Sequence, residues 1–203
     1  MTVLRVALTG GIATGKSYVL TRFGQRSLPT VDTDQLSRDV VRRGQPAAAE
    51  IRRQFGDDVF QPDGELDRAR IAQRVFSDAT ERAALEAIVH PYVGLALERW
   101  FDALEADRHA TVGIATIPLL YETGRAGNFD KVVVTSCEVA EQLKRLTARD
   151  GLSEEDARRR VDAQMPTAEK VARADFVIRT DGSFESTDAQ ADAVCERLLA
   201  TKH

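Results

Sequence analysis

The sequence has little cysteine and little histidine, and neither residue type is clustered. Cys137 and Cys195 are its two cysteines, and His90, His109 and His203 are scattered along the 203 residues. Without a Cys-x-x-Cys pair or a zinc-type spacing of ligands, neither a disulfide framework nor a structural metal site is expected. The two thiols are expected to pack as small apolar side chains.

Long hydrophobic runs are also missing. The longest uncharged apolar stretch, residues 110–121, has twelve residues, whereas a membrane-spanning helix needs about 20. Residues 1–5 enter an apolar run with no charged lead or small-residue cleavage site, unlike a signal peptide. We therefore expect a cytoplasmic protein with no membrane segment.

Basic residues are fewer than acidic residues, and most of the basic residues are arginines. The formal net charge is −4, and only 5 of the 28 basic residues are lysines. This balance disfavours binding of nucleic acid through a basic surface, so no nucleic-acid partner is expected, and a polyanionic ligand must be held by a local site. Apolar residues make up 43% of the chain, enough for a packed core. The oligomeric state stays open.

One segment near the N-terminus carries a phosphate-binding motif. It fits G-x-x-x-x-G-K-[ST] at a predicted strand-to-helix junction, through Gly10, Gly11, Ile12, Ala13, Thr14, Gly15, Lys16 and Ser17. Glycines let backbone N–H groups approach phosphate oxygens. Lys16 can reach the β- and γ-phosphates, and the Ser17 hydroxyl is a ligand for Mg²⁺. The motif predicts binding of ATP or GTP.

Apolar, β-branched segments alternate with helical patterns along most of the chain. The predicted strands cover residues 3–9, 28–31, 111–117, 131–135 and 176–179. Residues 44–109 break this alternation, because they show helical periodicity and no convincing strand. We therefore predict a P-loop α/β/α fold with a parallel sheet, built from residues 1–43 and 110–203, with an inserted helical substrate subdomain at about 44–109.

The motif occurs in several classes of nucleotide-binding protein, and the rest of the sequence must distinguish them. GTPase switches need an Asp-x-x-Gly element and an Asn-Lys-x-Asp base reader. No glycine has an aspartate three positions before it, and Asn128, the sole asparagine, precedes Phe129. Small-molecule kinases remain. A slowly hydrolysing nucleotide-dependent binding module is the alternative from another class, and it would need Lys16 and Ser17 but not Asp34.

Further segments, taken in order, resemble the dephospho-CoA kinase family over nearly the whole chain. They are L-T-G-G-I with G-K-S (residues 8–17), D-T-D with Arg38 (32–38), F-G, D-G and L-D-R (55–68), H-P (90–91), P-L-L-Y-E (118–122), the helix with Gln142, Arg145 and Arg149, and Gln164. Each short match is weak, but the ordered set is specific.

This resemblance implies a reaction and its substrates. The γ-phosphoryl group of ATP, accompanied by Mg²⁺, would pass to the 3′-hydroxyl of the ribose in dephospho-CoA, giving coenzyme A and ADP in the last step of coenzyme A biosynthesis. Another P-loop small-molecule or nucleoside-monophosphate kinase is the alternative. The resemblance also implies a helical lid at about residues 145–164.

Roles on the acceptor side follow from the same resemblance. Asp34 is implied as the carboxylate that orients the attacking hydroxyl and accepts its proton. Asp32 is expected instead to stiffen the turn or to hold water on the metal. Helix capping is the alternative interpretation of both aspartates. Acceptor binding is implied for Asp34, Arg38, His90, Glu122 and Gln164, with an ion pair or a structural role as the alternative for Arg38, His90 and Glu122.

The catalytic cations implied by the resemblance are Lys16, Arg145 and Arg149. The two arginines are four residues apart and therefore share one helical face. They would close on the transferring phosphoryl group, since the guanidinium fork matches phosphate oxygens. Residues 158–160 are a further run of arginines, and their acidic neighbours favour a solvated helix face instead.

The chain departs from the family pattern at the ATP site. Tyr18 follows the loop serine where the family has threonine or a small residue, and Thr180 stands where it commonly has asparagine near the adenine. Both are included in the expected ATP-binding set. Residues 115–117 end the third strand without the aspartate that supports the metal in many P-loop enzymes, so Ser17 is the expected protein ligand of Mg²⁺.

Overall fold

The structure is a computed structural model that describes residues 2–107 and 109–201. Its strands are β1 Leu4–Gly10, β2 Thr30–Asp32, β3 Val112–Thr116, β4 Lys131–Ser136 and β5 Phe176–Arg179. Its helices are α1 Lys16–Gln25, α2 Thr33–Asp39, α3 Pro46–Phe55, α4 Arg68–Ser77, α5 Ala79–Ala106, α6 Val139–Asp150, α7 Glu154–Asp162, α8 Thr167–Ala172 and α9 Phe184–Leu199, with short 3₁₀ turns at Asp57–Val59 and Arg125–Asn128.

The strands form one sheet in the order β2-β3-β1-β4-β5. β1 pairs in parallel with β3 and with β4, and β4 pairs in parallel with β5. Gly10, the last residue of β1, lies beside Thr135 of β4, and Leu8 lies beside Thr116 of β3. The carboxyl end of β1 therefore opens between the ends of its two neighbours, where ligands of such sheets bind.

The contacts divide the chain into two units, of which the first contains the sheet. It comprises the described residues of 1–31 and 103–203. Apolar side chains of the strands pack against α1 and α9 in a buried core formed by Leu4, Val6, Leu8, Val19, Phe23, Leu28, Val112, Ile114, Val133, Phe176, Ile178, Ala191, Val194, Cys195 and Leu198. Since β1 is covered on both faces, its sequence is almost continuously apolar.

The second unit, residues 32–102, is helical. Asp67 caps α4 by accepting bonds from the backbone N–H groups of Ala69 and Arg70. Its strand-like element is an isolated antiparallel bridge between Phe60 and Leu66. Its core consists of Val41, Ala47, Ala48, Ile51, Phe55, Val59, Phe60, Leu66 and Ile71.

The sequence located the strands well. Each of the five predicted strands is present, with bounds shifted by at most two residues. The second unit begins at residue 32, earlier than the insert expected from about residue 44, because the chain that follows α2 packs its valines into the helical core. Among the described residues no helix is both long and apolar enough to cross a membrane.

Candidate functional site

The G-x-x-x-x-G-K-S segment forms the connection between β1 and α1. Gly15 is the N-cap of α1 at φ 85°, in the left-handed region that suits glycine, and it has no side chain that could cap the helix. The first turn of α1 also carries no acidic residue. By contrast, α7 has a Ser153 cap and three carboxylates in its first turn. The start of α1 is therefore suited to an external anion.

Lys16 lies across the loop. Its Nζ donates to the carbonyl oxygens of Gly10 at 3.0 Å and Gly11 at 2.9 Å. These are hydrogen bonds within the loop itself, so the ammonium stays beside the backbone that a phosphate would contact. Its contact with the β- and γ-phosphates stays a prediction.

Buried threonines support the loop from below. Thr14 Oγ1 donates to the carbonyl of Gly11 at 2.8 Å and lies 2.7 Å from Thr135 Oγ1. Both side chains are fully buried. A Cβ at Gly10 would lie 2.6 Å from the carbonyl oxygen of Thr135, so only glycine fits there. The sequence analysis did not select Thr135, although a polar residue at the end of an apolar strand could have indicated it.

Thr180, expected near the adenine, is 7% exposed and faces the loop backbone. Its Oγ1 donates to the carbonyl of Thr14 at 2.9 Å and accepts a bond from Arg145 Nη1 at 3.1 Å. Its methyl group lies against Gly15, where an added Cβ would be 3.3 Å away. The carbonyl of Ser136, at 3.4 Å, is a further acceptor, so several groups of the protein bond to this hydroxyl. Contact with ATP stays a prediction.

Arg145 connects three parts of the site. Nη1 donates to the carbonyl of Ala13 at 3.3 Å, Nη2 donates to the carbonyl of Thr180, and Nε pairs with Glu141 at 3.0 Å. Ala13 has φ 61°, which is unfavourable for a residue with a Cβ. The guanidinium therefore stabilises a strained turn of the loop. This places Arg145 at the loop, and its action on the phosphoryl group remains a prediction.

Two glutamines hold the peptide groups of Ile12. Gln164 Oε1 accepts from the Ile12 N–H at 2.8 Å, and Gln142 Nε2 donates to the Ile12 carbonyl at 2.7 Å. Gln142 is 1% exposed, and its Oε1 has no partner among the described atoms. Gln164 therefore contacts the phosphate loop, and the acceptor contact that the resemblance implies for it stays a prediction. Gln142 was not selected as a site residue, although a buried amide on an apolar helix face was a signal.

Glu122 lies just beyond β3 and forms an ion pair with a lysine. Its Oε1 is 2.7 Å from Lys170 Nζ and accepts a hydrogen bond from the Met165 N–H at 3.1 Å. Burial acts to raise the pKa of Glu122, but the bonds from Lys170 and Met165 outweigh it and hold the pKa below the usual value. Lys170 is fully buried and was not selected from the sequence.

Arg149 is exposed near the end of α6. Its fork holds the neighbouring Asp150, with Nε to Oδ1 at 2.7 Å and Nη2 to Oδ2 at 3.0 Å. This bond lowers the pKa of Asp150, and Arg160 adds a contact at 3.3 Å. Arg145 points into the site, whereas Arg149 lies at the surface in a geometry that a phosphate would also satisfy.

Tyr18 turns from the loop toward α9. Its hydroxyl donates to Asp188 at 2.8 Å, and its ring packs against the Phe184 ring at 5.0 Å between centroids. The hydrogen bond to Asp188 raises the pKa of Tyr18. Phe184 itself is strongly exposed. The place of Tyr18 in the ATP site remains a prediction.

The remaining expected residues belong to the second unit. Asp32 caps α2, and its Oδ1 accepts from the Asp34 N–H at 3.0 Å, which supports the capping interpretation for Asp32. Asp34 and Arg38 lie within α2 with exposed side chains. His90 is exposed on α5, a helix that continues through the following proline.

The donor atoms fit a magnesium ion that arrives with a nucleotide. No cluster of three or more histidine, cysteine or acidic side chains suited to a metal occurs among residues 2–107 and 109–201. Mg²⁺ in phosphoryl-transfer sites is held mainly by phosphate oxygens and water, with one or two protein ligands. Ser17, exposed beside Lys16, supplies one hydroxyl of the required kind.

The glycine loop between β1 and α1, on a parallel sheet of this order, defines a P-loop nucleotide-binding protein. The dephospho-CoA kinase family model matches residues 4–186. The dephospho-CoA kinase of Thermobifida fusca is 41% identical and covers 99% of each chain, and that of Anaeromyxobacter dehalogenans is 46% identical over 96% of this chain and 90% of its own. The chain belongs to the dephospho-CoA kinase family.

A solved structure agrees with this assignment in fold. The crystal structure of TT1252 from Thermus thermophilus superposes with a TM-score of 0.82 at 33% identity, and the match covers all of both chains. The fold expected from the sequence, a P-loop α/β kinase with a parallel sheet, is thereby confirmed.

Proposed function

We propose that this chain transfers the γ-phosphoryl group of ATP to the ribose 3′-hydroxyl of dephospho-CoA, producing coenzyme A and ADP. The observation that carries the proposal is the family match over residues 4–186 together with an intact phosphate loop. The substrates would be ATP and dephospho-CoA, and the reaction would take place in the cytoplasm.

The chemistry asked of the protein is positioning and charge neutralisation. The bond between the γ-phosphorus and the β,γ-bridging oxygen breaks, a bond forms between that phosphorus and the 3′-oxygen, and ADP leaves. Lys16 and the N–H groups at the start of α1 would hold the phosphates. Mg²⁺, held by Ser17 and the phosphates, would supply further neutralisation of charge.

Asp34 is the residue that we propose for the acceptor proton. It occupies the first turn of α2, directly after the carboxyl end of β2, and its carboxylate is exposed. A carboxylate there can orient the 3′-hydroxyl and accept its proton as the new bond forms. Arg38, one turn further along α2, is proposed to bind a phosphate of the acceptor. Roles for Arg145 and Arg149 on the transferred group are part of the same proposal.

The deciding experiment measures ADP release from ATP and Mg²⁺ with dephospho-CoA, beside a panel of nucleoside monophosphates and small polyols. Strong stimulation by dephospho-CoA alone, with a new 3′-phosphate identified in the product by ³¹P NMR, is the expected result. Stimulation by a different acceptor would retain the kinase and replace the substrate. ATP binding without acceptor-stimulated turnover would favour the binding-module alternative.

A matched pair of variants tests Asp34. Asp34→Asn should leave ATP affinity nearly intact while turnover falls by roughly 10²–10⁴-fold. Asp39→Asn is the control, since Asp39 ends the same helix and pairs with Arg42 at 3.0 Å. Turnover of Asp34→Asn close to that of the control would remove the proton-accepting role.

A further inference from the structure

Lys170 is a buried cation outside the phosphate loop. Its side chain is fully buried, in contrast to the 35% exposed side chain of Lys131. Nζ pairs with Glu122 Oε1 at 2.7 Å and lies 3.5 Å from the carbonyl oxygen of Pro118. A lysine is rarely buried in this way unless its charge is paired. The ion pair with Glu122 therefore indicates that Lys170 has a specific role.

The partners of Lys170 belong to the rigid base of the site. Pro118 and Glu122 follow β3, whose last residue lies beside Leu8 of the central strand. Thr9 Oγ1 also donates to the Pro118 carbonyl at 3.4 Å. Because Lys170 is part of α8, its ion pair attaches that helix to the segment after β3, which Thr9 of β1 also contacts.

The segment just before Lys170 contacts the phosphate loop. Glu122 Oε1 also accepts from the Met165 N–H at 3.1 Å, and the adjacent Gln164 accepts from the Ile12 N–H at 2.8 Å. A Cβ placed on Gly11 would lie 2.9 Å from Thr167 Oγ1. Two neighbouring loop residues therefore touch residues 164–167.

We propose that Lys170 is a positioning residue, which acts through Glu122 to hold residues 164–167 against Gly11 and Ile12 and so fixes the first half of the phosphate loop for ATP. Lys170 does not itself contact the nucleotide in this proposal. The kinetic part rests on the proposed function, whereas the structural part can be measured on the protein with ATP alone.

The first test replaces the lysine and measures both kinetics and amide exchange. Lys170→Met should lower kcat/KM for ATP by about 10- to 100-fold, because small misplacements of a binding loop have effects of that size. It should also weaken protection of the Ile12 N–H in hydrogen exchange followed by NMR. Lys131→Met, which removes a comparable 3.0 Å pair with Asp175, is the control and should change neither quantity.

Double variants separate positioning from direct catalysis. Lys170→Met combined with Glu122→Gln removes both charges of the ion pair and keeps a carbonyl oxygen for the Met165 N–H, so this protein should fold and regain most of its ATP affinity and Ile12 protection. Lys170→Met combined with Gln164→Ala should be no worse kinetically than Lys170→Met, since both act on one contact.

Three results would overturn the proposal. The first is a Lys170→Met variant that loses thermal stability but keeps normal Ile12 protection and normal kcat/KM for ATP. The second is a Lys170→Met, Glu122→Gln protein that folds but does not regain ATP affinity and Ile12 protection. The third is a loss of kcat/KM in the Lys170→Met, Gln164→Ala variant that equals the sum of the two single losses. ATP affinity and Ile12 exchange can be measured even if dephospho-CoA is not the acceptor, and they still show whether Lys170 positions the phosphate loop. Failure of the proposed function can therefore be distinguished from failure of this inference.

Discussion

The phosphate loop and the arginine-rich helices beside it are constructed differently. Buried side chains of Thr14, Thr135, Thr180 and Gln142 face the loop, at most 7% exposed, and bond to its backbone or to one another. From the end of α6 through α7, the charged groups form ion pairs that are largely exposed, such as Arg159 with Glu155 at 3.0 Å.

The difference teaches how one site can combine a fixed part, the loop held by buried hydrogen bonds, with an exchangeable part, the arginines held by exposed ion pairs. A loop that binds phosphate through its N–H groups must have its carbonyl groups bonded elsewhere, and buried hydrogen bonds hold that arrangement. Arginines that close on a transferring group must exchange a carboxylate for a phosphate, and exposed pairs of low net stability permit this.

The largest effect is expected from removing the positive charge of Lys16 from the loop. Lys16→Ala should reduce turnover by roughly 10²–10³-fold, the range for loss of one group that stabilises transition-state charge. ATP affinity measured by calorimetry should fall with it. Lys144→Ala, at a side chain 79% exposed on α6, is the control. A Lys16→Ala enzyme as active as this control would contradict the phosphate-loop assignment.

A smaller effect is expected from breaking the support of the loop. Thr180→Val keeps the methyl contact with Gly15 but removes the donor to the Thr14 carbonyl and the acceptor for Arg145. Because buried polar groups then lack partners, the free energy of unfolding should fall by about 1–3 kcal/mol.

Urea denaturation would measure this change, with Thr201→Val as the control for a hydroxyl that donates to a surface carbonyl, that of Arg197, at 3.0 Å. Equal stability of the two variants would mean that the buried hydroxyl contributes no more than an exposed one, and the contrast between the regions would disappear.

The sequence predicted the parts of this site that are local in the chain. The strand, the glycine turn and the first helical residues are contiguous, so their pattern was sufficient for β1, the loop and Lys16. The supports could not be found in this way, since Thr135, Gln142 and Lys170 are brought to the loop by β4, α6 and α8. Their contacts depend on sheet order and helix packing, which a single sequence does not encode locally.

The resemblance had a similar limit. It indicated Gln164 and Glu122 as acceptor-binding residues, which stays a prediction, but it gave no sign of their bonds to Ile12, Met165 and Lys170. A motif records that a residue type is needed at a position. Only the fold shows which atom it contacts.

An effect of comparable size, on kinetics instead of stability, is expected from changing Arg149 in the exposed ion pairs. Arg149→Lys retains the charge but not the two-pronged fork that holds Asp150 and would hold a phosphate. Loss of one charged hydrogen bond, about 1.5–3 kcal/mol, predicts at least a tenfold lower kcat/KM. Arg159→Lys is the control, and equal kinetics for the two would show that Arg149 does not act through fork geometry.

The smallest effect is expected from removing an exposed pair outright. Arg159 contacts both Glu155 and Asp156, and its side chain is 66% exposed. Because solvent screens such pairs and ordering the side chain has an entropic cost, Arg159→Ala should change the free energy of unfolding by less than about 1 kcal/mol. The same urea titration as for Thr180→Val measures it. A loss as large as that of Thr180→Val would mean that the stability of α7 depends on its exposed ion pairs, and the contrast between the buried supports of the loop and these pairs would then be wrong.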